Sequence, residues 1–402
     1  MEKNSIILLI IDGVGDLPTP KTPLQAAKKP NMDRLAKEGI TGLYSPLKRG
    51  MVPGSDTSHL RMFGYDPEIF YPGRGPLEAL GVGMDLAEGD VAFRANFATV
   101  KNGVITDRRA GRIQTEDAKK LEKYLSTTID GVQMIYKHSV DHRGAVIFRG
   151  PGLSACISDT DPHKGNTGIN KSIGLGETEE DDRTAELLNK YTEFALRALA
   201  NAEENKKREA AGKPPANALL LRGAGEFAEV PSLFERFGLN SVCIAGGALY
   251  RGVARFIGMD IIMLPQSEDD KSLKEKALAA ARATDKYDLV FLHVKGCDNA
   301  GHDGDFSRKK QVLESIDREI IPIISKCGAS IIITGDHSTP VARKEHSGHE
   351  VPILIWSKEE RYDNVKKFDE LSCMAGGLGH IRGKDLMPLM LNILRKAEKY
   401  GS

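Results

Sequence analysis

Three aspartates stand at the ends of apolar runs, and two of them are followed at once by histidine-bearing segments. Asp12 closes the run Ser5–Ile11. Asp298 follows Leu289–Val294 and has His302 four residues on. Asp336 and His337 follow Ser330–Thr334, with His346 and His349 a little further along. Carboxylate and imidazole together supply the oxygen and nitrogen donors needed by one or two divalent cations of hard to borderline character. Taken singly, each aspartate also reads as a helix N-cap and each histidine as a satisfied surface group. Three such ends together favour a metal centre. In open α/β sheets reactive groups sit just past the carboxyl ends of strands, so segments far apart in the chain can meet at one point.

A candidate nucleophile lies in Val52-Pro53-Gly54-Ser55-Asp56-Thr57-Ser58-His59. Pro-Gly makes a turn, Ser55 is a good N-cap, and Leu60, Met62 and Phe63 suggest a helix starting there. A hydroxyl at a helix N-terminus lies in a positive field that favours its alkoxide and attracts phosphate. Capping alone explains the segment equally well, but a nearby metal would make Ser55 a nucleophile. Two glycine motifs are set aside. Gly13-Val14-Gly15 follows a strand, but Pro18 replaces the third glycine of a dinucleotide fingerprint, and Asp12 and Asp16 would repel a pyrophosphate. Residues 165–172 nearly spell a P-loop, yet Asn170 stands where the second glycine belongs.

The elements that must position these groups follow from length and pattern. At 402 residues the chain exceeds one ordinary core, so two domains are expected, one interrupting the other. Hydrophobic residues make up 40% and charged residues 28%, a globular composition. Basic and acidic residues are equal at 56 each, so no basic field points to nucleic acid or an anionic membrane. The run Ile6–Ile11 is far too short to span a membrane. The five cysteines are scattered without a CxxC pair, as in a reduced cytoplasmic protein.

Strand, helix Asn31–Gly39, short strand and a glycine- and proline-rich loop open the chain. From Asp90 shorter runs (Ala92–Val100, Val104–Thr106, Met134–Tyr136, Gly144–Arg149) read as a smaller sheet, with helices at Thr115–Leu125 and Thr178–Ala211. Charged residues 203–209 and then Lys213-Pro214-Pro215 read as a domain junction. Strand–helix alternation resumes at Ala218–Arg222 and continues through Ser241–Ala245, Ile261–Leu264, Leu289–Val294, Ser330–Thr334 and Val351–Ile355, which implies a mostly parallel sheet covered on both faces.

The combined set Asp12, Pro53-Gly54-Ser55-Asp56, Asp298-Asn299-Ala300-Gly301-His302, Gly335-Asp336-His337 and His346 with Val351-Pro352 resembles the alkaline phosphatase superfamily. Thr22-Pro23-Leu24, Pro30-Asn31-Met32-Asp33, residues 73–79 and residues 105–112 make the chain similar to the cofactor-independent phosphoglycerate mutases, in their short archaeal-type branch. The resemblance runs essentially end to end. It implies an alkaline-phosphatase-like three-layer α/β core from residues 1–85 and 215–402, interrupted by a smaller α+β substrate-binding domain at 86–214.

It further implies that Asp12, Ser55, Asp336 and His337 surround one metal and that Ser55 becomes phosphorylated. Asp298, His302 and His346 would hold a second metal, with His349 a rival to His346. Manganese is the usual metal of the family, with zinc, cobalt or magnesium compatible with the donors. The family's phosphoryl-holding lysine corresponds to Arg251. The implied reaction is the isomerisation of 3-phosphoglycerate to 2-phosphoglycerate, without bisphosphoglycerate and without a nucleic-acid or membrane partner. Arginine forks match carboxylates, so Arg94, Arg108, Arg109, Arg112 and Arg143 are candidates to hold glycerate as the inserted domain closes over the site. His142 and Asp161 are candidates to manage protons on its hydroxyls. Rival readings are a metal-dependent phosphohydrolase, which would not need the arginine-rich insertion, the related branch proposed to act on homoserine, and a non-catalytic metal-binding protein, which would lack Ser55.

Overall fold

Six consecutive apolar residues, Ile6–Ile11, form the first strand, and all six are buried. Such a run fits the centre of a sheet covered on both faces. The computed structural model describes residues 4–265, 267–399 and 401. In chain order the strands are β1 (Ile6–Ile11), β2 (Ile40–Ser45), β3 (Val91–Lys101), β4 (Val104–Asp107), β5 (Thr127–Ile129), β6 (Val132–His138) and β7 (Arg143–Arg149). They continue with β8 (Ala218–Glu226), β9 (Ser241–Ile244), β10 (Asp260–Ile261), β11 (Leu289–Val294), β12 (Ser330–Thr334), β13 (Val351–Trp356) and β14 (Gly379–Arg382).

The chain divides into two compact units, Met1–Tyr71 with Val230–Ser402, and Pro72–Glu229. Residues 72–85 and 215–229, expected with the first unit, group with the second. The first unit holds an eight-stranded sheet in the order β10-β9-β11-β1-β12-β13-β2-β14. Its pairs are parallel except β12 with β13 and β13 with β2, so the expected mostly parallel α/β sheet is present and Val351–Trp356 runs against its neighbours. β1 lies between β11 and β12, with Ile11 opposite Val294 and Ile10 opposite Thr334. The carboxyl ends of these three strands are therefore side by side.

The second unit has a six-stranded sheet in the order β4-β3-β7-β6-β5, with β8 also on β3. Ala218–Arg222, expected in the large parallel sheet, instead pairs antiparallel with β3. An all-apolar run gives no information about which sheet it joins. One face of this sheet buries Phe93, Phe97, Met134 and Phe148 against Leu188, Tyr191 and Leu199 of the helix Glu179–Ala200. That helix stops where the side-chain amide of Asn201 donates to the Arg197 carbonyl and Ala202 turns extended. The single helix expected over Thr178–Ala211 is therefore two. The other face of the sheet buries small residues, Ala92 and Ala145, with Ala79 of the helix Arg74–Gly81. No helix among the described residues is long and apolar enough to cross a membrane.

Candidate active site

Because β11, β1 and β12 are neighbours, the residues just past their ends converge. Asp12, Asp336 and His337 are fully buried. His337 Nε2 lies 3.2 Å from Asp12 Oδ1 and 3.3 Å from Asp336 Oδ2. Ser55 Oγ is 3.2 Å from the same nitrogen. Ser55 is the first residue of the helix Ser55–Met62, and Gly54 rather than Ser55 occupies the N-cap. The serine hydroxyl is thus left for the pocket instead of being spent on capping, at the helix end whose dipole favours an anion.

A second group adjoins the first. Asp298 Oδ1 is 3.3 Å from His302 Nε2 and 3.4 Å from His346 Nε2, and the His346 ring stacks on His337 with centroids 3.7 Å apart. The sets Asp12, Asp336, His337 and Asp298, His337, His346 each present ligand atoms close enough to hold one metal ion. His349 instead bonds through Nδ1 to Ser347 Oγ, and His346 is the histidine brought to Asp298.

Three features of the donor atoms fit a metal. Asp12 Oδ1 and Asp336 Oδ2 are buried without a hydrogen-bond partner, a costly state unless a cation meets them. The opposite oxygens are occupied: Asp12 Oδ2 accepts from Lys295 Nζ at 3.0 Å and from the Tyr250 hydroxyl, and Asp336 Oδ1 accepts from the Gly13 amide at 3.2 Å. Finally, each histidine is tied by Nδ1, to Lys344 O for His302, Pro53 O for His346 and Thr339 Oγ1 for His337. Binding of that kind fixes the tautomer and leaves Nε2 as the ligand atom.

The electrostatics agree. Burial pushes the Asp12 carboxyl up, but Lys295, His293 and His337 outweigh it and hold it well below the usual range. Burial and the Asp12 charge likewise oppose ionisation of Asp298, and His302, His346 and Lys295 prevail. The bond to Asp298 pushes His302 up to about 9. Carboxylates that keep neighbouring imidazoles basic are the electrostatic complement of a cation site.

In the second unit a separate cluster of arginines forms by strand register. Side chains alternate along β3, so Arg94 falls on the same face as Ala92, and it pairs opposite Arg222 of β8. Arg74 Nε lies 3.4 Å from Glu78 Oε1, and Arg94 Nε lies 3.6 Å from the same oxygen. Arg108 grips both oxygens of Asp161 at 2.8 and 2.9 Å, and Arg222 Nε lies 3.8 Å from that carboxylate. Nε of Arg94 and of Arg222 is buried without a hydrogen-bond partner. Desolvation and the charges of Arg222, Arg74 and Arg143 lower Arg94 to about 10. Burial, then Arg143, Arg109, Arg94 and Arg222, lower His142 to about 4. The arginines outnumber Glu78 and Asp161, the carboxylates they face, and such an excess of positive charge suits a small anion.

Comparison with known proteins decides the family. A sequence model described as 2,3-bisphosphoglycerate-independent phosphoglycerate mutase matches residues 36–205. A Methanocaldococcus jannaschii protein named 2,3-bisphosphoglycerate-independent phosphoglycerate mutase 1 is 44% identical over 411 residues, covering all of both chains. The chain belongs to this mutase family. A Pyrobaculum neutrophilum member is also 44% identical, with 99% of each chain covered. Among solved structures, the cofactor-independent phosphoglycerate mutase of Thermoplasma acidophilum shares 37% identity at a TM-score of 0.70, covering 97% of this chain and all of that one. A Pyrococcus horikoshii protein shares 35% identity at a TM-score of 0.84 over the whole of both chains.

With the mutase family in place, the expected residues can be located. Asp12, Ser55, Asp298, His302, Asp336, His337 and His346 lie together in the first unit. Arg94, Arg108, Arg109, Arg143, His142 and Asp161 are associated in the second. Arg112 is exposed at positive φ (54°) in the turn after β4. Arg251 donates to the Gly246 carbonyl, whereas its neighbour Tyr250 reaches Asp12 and stacks on His293. A cation bridging the two metal-binding groups is Lys295, 3.0 Å from Asp12 and 2.7 Å from Asp298. Sequence reading missed Lys295, Tyr250, Thr339, Arg74 and Arg222. Lys295 alone carried a signal, since it follows β11 and precedes Asp298 by three residues.

Proposed function

We propose that the protein interconverts 3-phosphoglycerate and 2-phosphoglycerate through a phosphoserine on Ser55, without bisphosphoglycerate and with two divalent cations. The observation that carries this reading is Ser55 Oγ at 3.2 Å from His337, at the start of a helix and beside two orphaned carboxylate oxygens. Full-length identity to named mutases supports it.

Asp12, Ser55, Asp336 and His337 would hold one cation and Asp298, His302 and His346 the other. Manganese is our first assignment, with zinc, cobalt and magnesium compatible with the mixed oxygen and nitrogen donors. Bound there, the cations supply Lewis acidity that lowers the serine pKa and neutralises phosphoryl oxygens.

Ser55 Oγ gives up its proton and attacks phosphorus as the bond from phosphorus to the substrate's 3-oxygen breaks, and that oxygen takes up a proton. Glycerate's 2-hydroxyl then loses its proton and attacks the phosphoserine, the bond from phosphorus to Ser55 Oγ breaks, and the serine oxygen is protonated again. We assign the phosphoryl-facing positive charge to Lys295 in place of Arg251. The arginine cluster suits the glycerate carboxylate, which its forked donors match. His142, kept neutral at pH 7 by burial and its cationic neighbours, and Asp161, held as a carboxylate by Arg108, are assigned to manage protons on the glycerate hydroxyls. A reduced, cytoplasmic setting fits the five free thiols.

The test is an enolase-coupled assay on 3-phosphoglycerate without bisphosphoglycerate. Wild type should lose activity on chelation and regain it with Mn²⁺, and Ser55→Ala should be at least 1,000-fold slower, on the order expected for loss of a nucleophile. Release of inorganic phosphate with no 2-phosphoglycerate would move the reading to a phosphohydrolase. Full activity of Ser55→Ala would refute it.

A further inference from the structure

Behind the metal-binding pocket lies a lysine with no contact to solvent. Lys309 is in the helix Phe306–Glu319 and is 0% exposed, whereas its neighbour Lys310 lies partly in solvent and pairs with Glu314. An ammonium has three donors, and Lys309 uses all of them. They go to Gly15 O at 3.0 Å, Asp16 Oδ2 at 2.9 Å and Thr339 O at 2.9 Å. With no donor left over, this lysine has nothing to offer a substrate.

Its partners belong to two loops. One follows β1 and carries Asp12. The other follows β12 and carries Asp336 and His337. The loops are also joined directly: Gly13 donates to Asp336, Thr339 donates to Gly15 O at 3.2 Å, and Val14 and Gly15 bridge to Ser338. Asp16 reinforces the seam by accepting from the Val341 amide at 3.1 Å. Thr339 has a second task, since its hydroxyl donates to Asp298 Oδ1 at 2.8 Å and meets His337 Nδ1 at 3.0 Å. Moving the Thr339 backbone therefore moves a ligand from each metal-binding set.

We propose that Lys309 is a positioning residue: its buried ammonium, held by Gly15, Asp16 and Thr339, sets the spacing of the Asp12 and Asp336–His337 loops and hence the affinity of the pocket for metal. The inference rests on reading that pocket as a metal centre. A buried ion pair adds little net stability against an apolar replacement, but fixes one arrangement, and removing one partner leaves the other uncompensated. Donors that orient ligands typically change metal affinity 10- to 100-fold when removed.

The experiment measures Mn²⁺ binding by equilibrium dialysis, alongside the melting temperature of each chelated protein. Lys309→Met should bind Mn²⁺ at least tenfold more weakly than wild type. Arg208→Met is the control, because Arg208 is a buried cation of the second unit whose bonds go to Pro214, Ala110 and Asp117. It should lose stability and keep metal affinity. Should Lys309→Met fail to fold, Lys309→Met with Asp16→Asn removes both charges; it should recover melting temperature yet stay at least tenfold weak for Mn²⁺. Wild-type affinity in either Lys309 variant overturns the positioning role while leaving the metal centre intact. Absence of Mn²⁺ binding in wild type overturns both readings.

Discussion

At the scale of single residues, the two oxygens of Asp12 show how a carboxylate is prepared for a cation. Oδ2 is taken by Lys295 and Tyr250, while Oδ1 is left buried and unpartnered toward His337. Fixing one oxygen aims the other, with little left to reorganise when a cation arrives. The opposite logic applies to His142, whose surroundings are hostile to charge. Burial and the arginines lower it to about 4, against about 6.5 for a free imidazole. Between those values the unfolded chain binds a proton that the folded chain refuses. Stability should therefore be level above about pH 6.5 and fall as the pH drops from there toward 4. Replacing the imidazole by an amide removes that component. Urea denaturation at pH 7 and pH 5 should show wild type losing more stability over this interval than His142→Gln. Equal losses in the two proteins would contradict the assigned field.

At the scale of elements, the geometry of the candidate metal site comes from strand adjacency and the arginine geometry from strand register. The sequence shows the first clearly: Asp12, Asp298 and Asp336 each end an apolar run, and parallel strands present such ends at one edge. It does not show the second. Arg222 ends a run of alanine and leucine that suits either sheet equally, and only its pairing opposite Arg94 reveals the cluster. Lys309 was illegible for a related reason, because a lysine reads as solvated until the packing around it is known. The same holds for Gly75, in the helix Arg74–Gly81. A Cβ there would stand 1.9 Å from the Ala92 carbonyl oxygen of β3, and the nearest atoms are all strand backbone, with no side chain to yield. Gly75→Ala should lift the helix from the sheet, costing about 3 kcal/mol as overpacking does. Arg74 and Glu78 would be displaced with it. A urea midpoint indistinguishable from wild type would show that the helix can shift without loss.

At the scale of the whole molecule, the proposed metal ligands all come from one of two units, each with its own sheet and core. A ligand that binds only the folded state stabilises what it binds by RT ln(1 + [L]/Kd), about 2.7 kcal/mol at one hundred times Kd. Metal should thus suppress the opening of the unit that supplies its ligands. Hydrogen exchange can follow the units separately, because β1, β11 and β12 report the first and β3, β6 and β7 the second. With Mn²⁺ at a hundredfold excess over its Kd, amides of β1, β11 and β12 that exchange by opening of their whole unit should slow by about 100-fold relative to chelated protein. Slowing in β3, β6 and β7 should be smaller, since the Phe93–Phe148–Tyr191 core that protects them contains no metal ligand. Equal slowing in both sets would mean that the two units open as one, and no slowing in β1, β11 and β12 would remove the metal centre from the strand ends where Asp12, Asp298 and Asp336 meet.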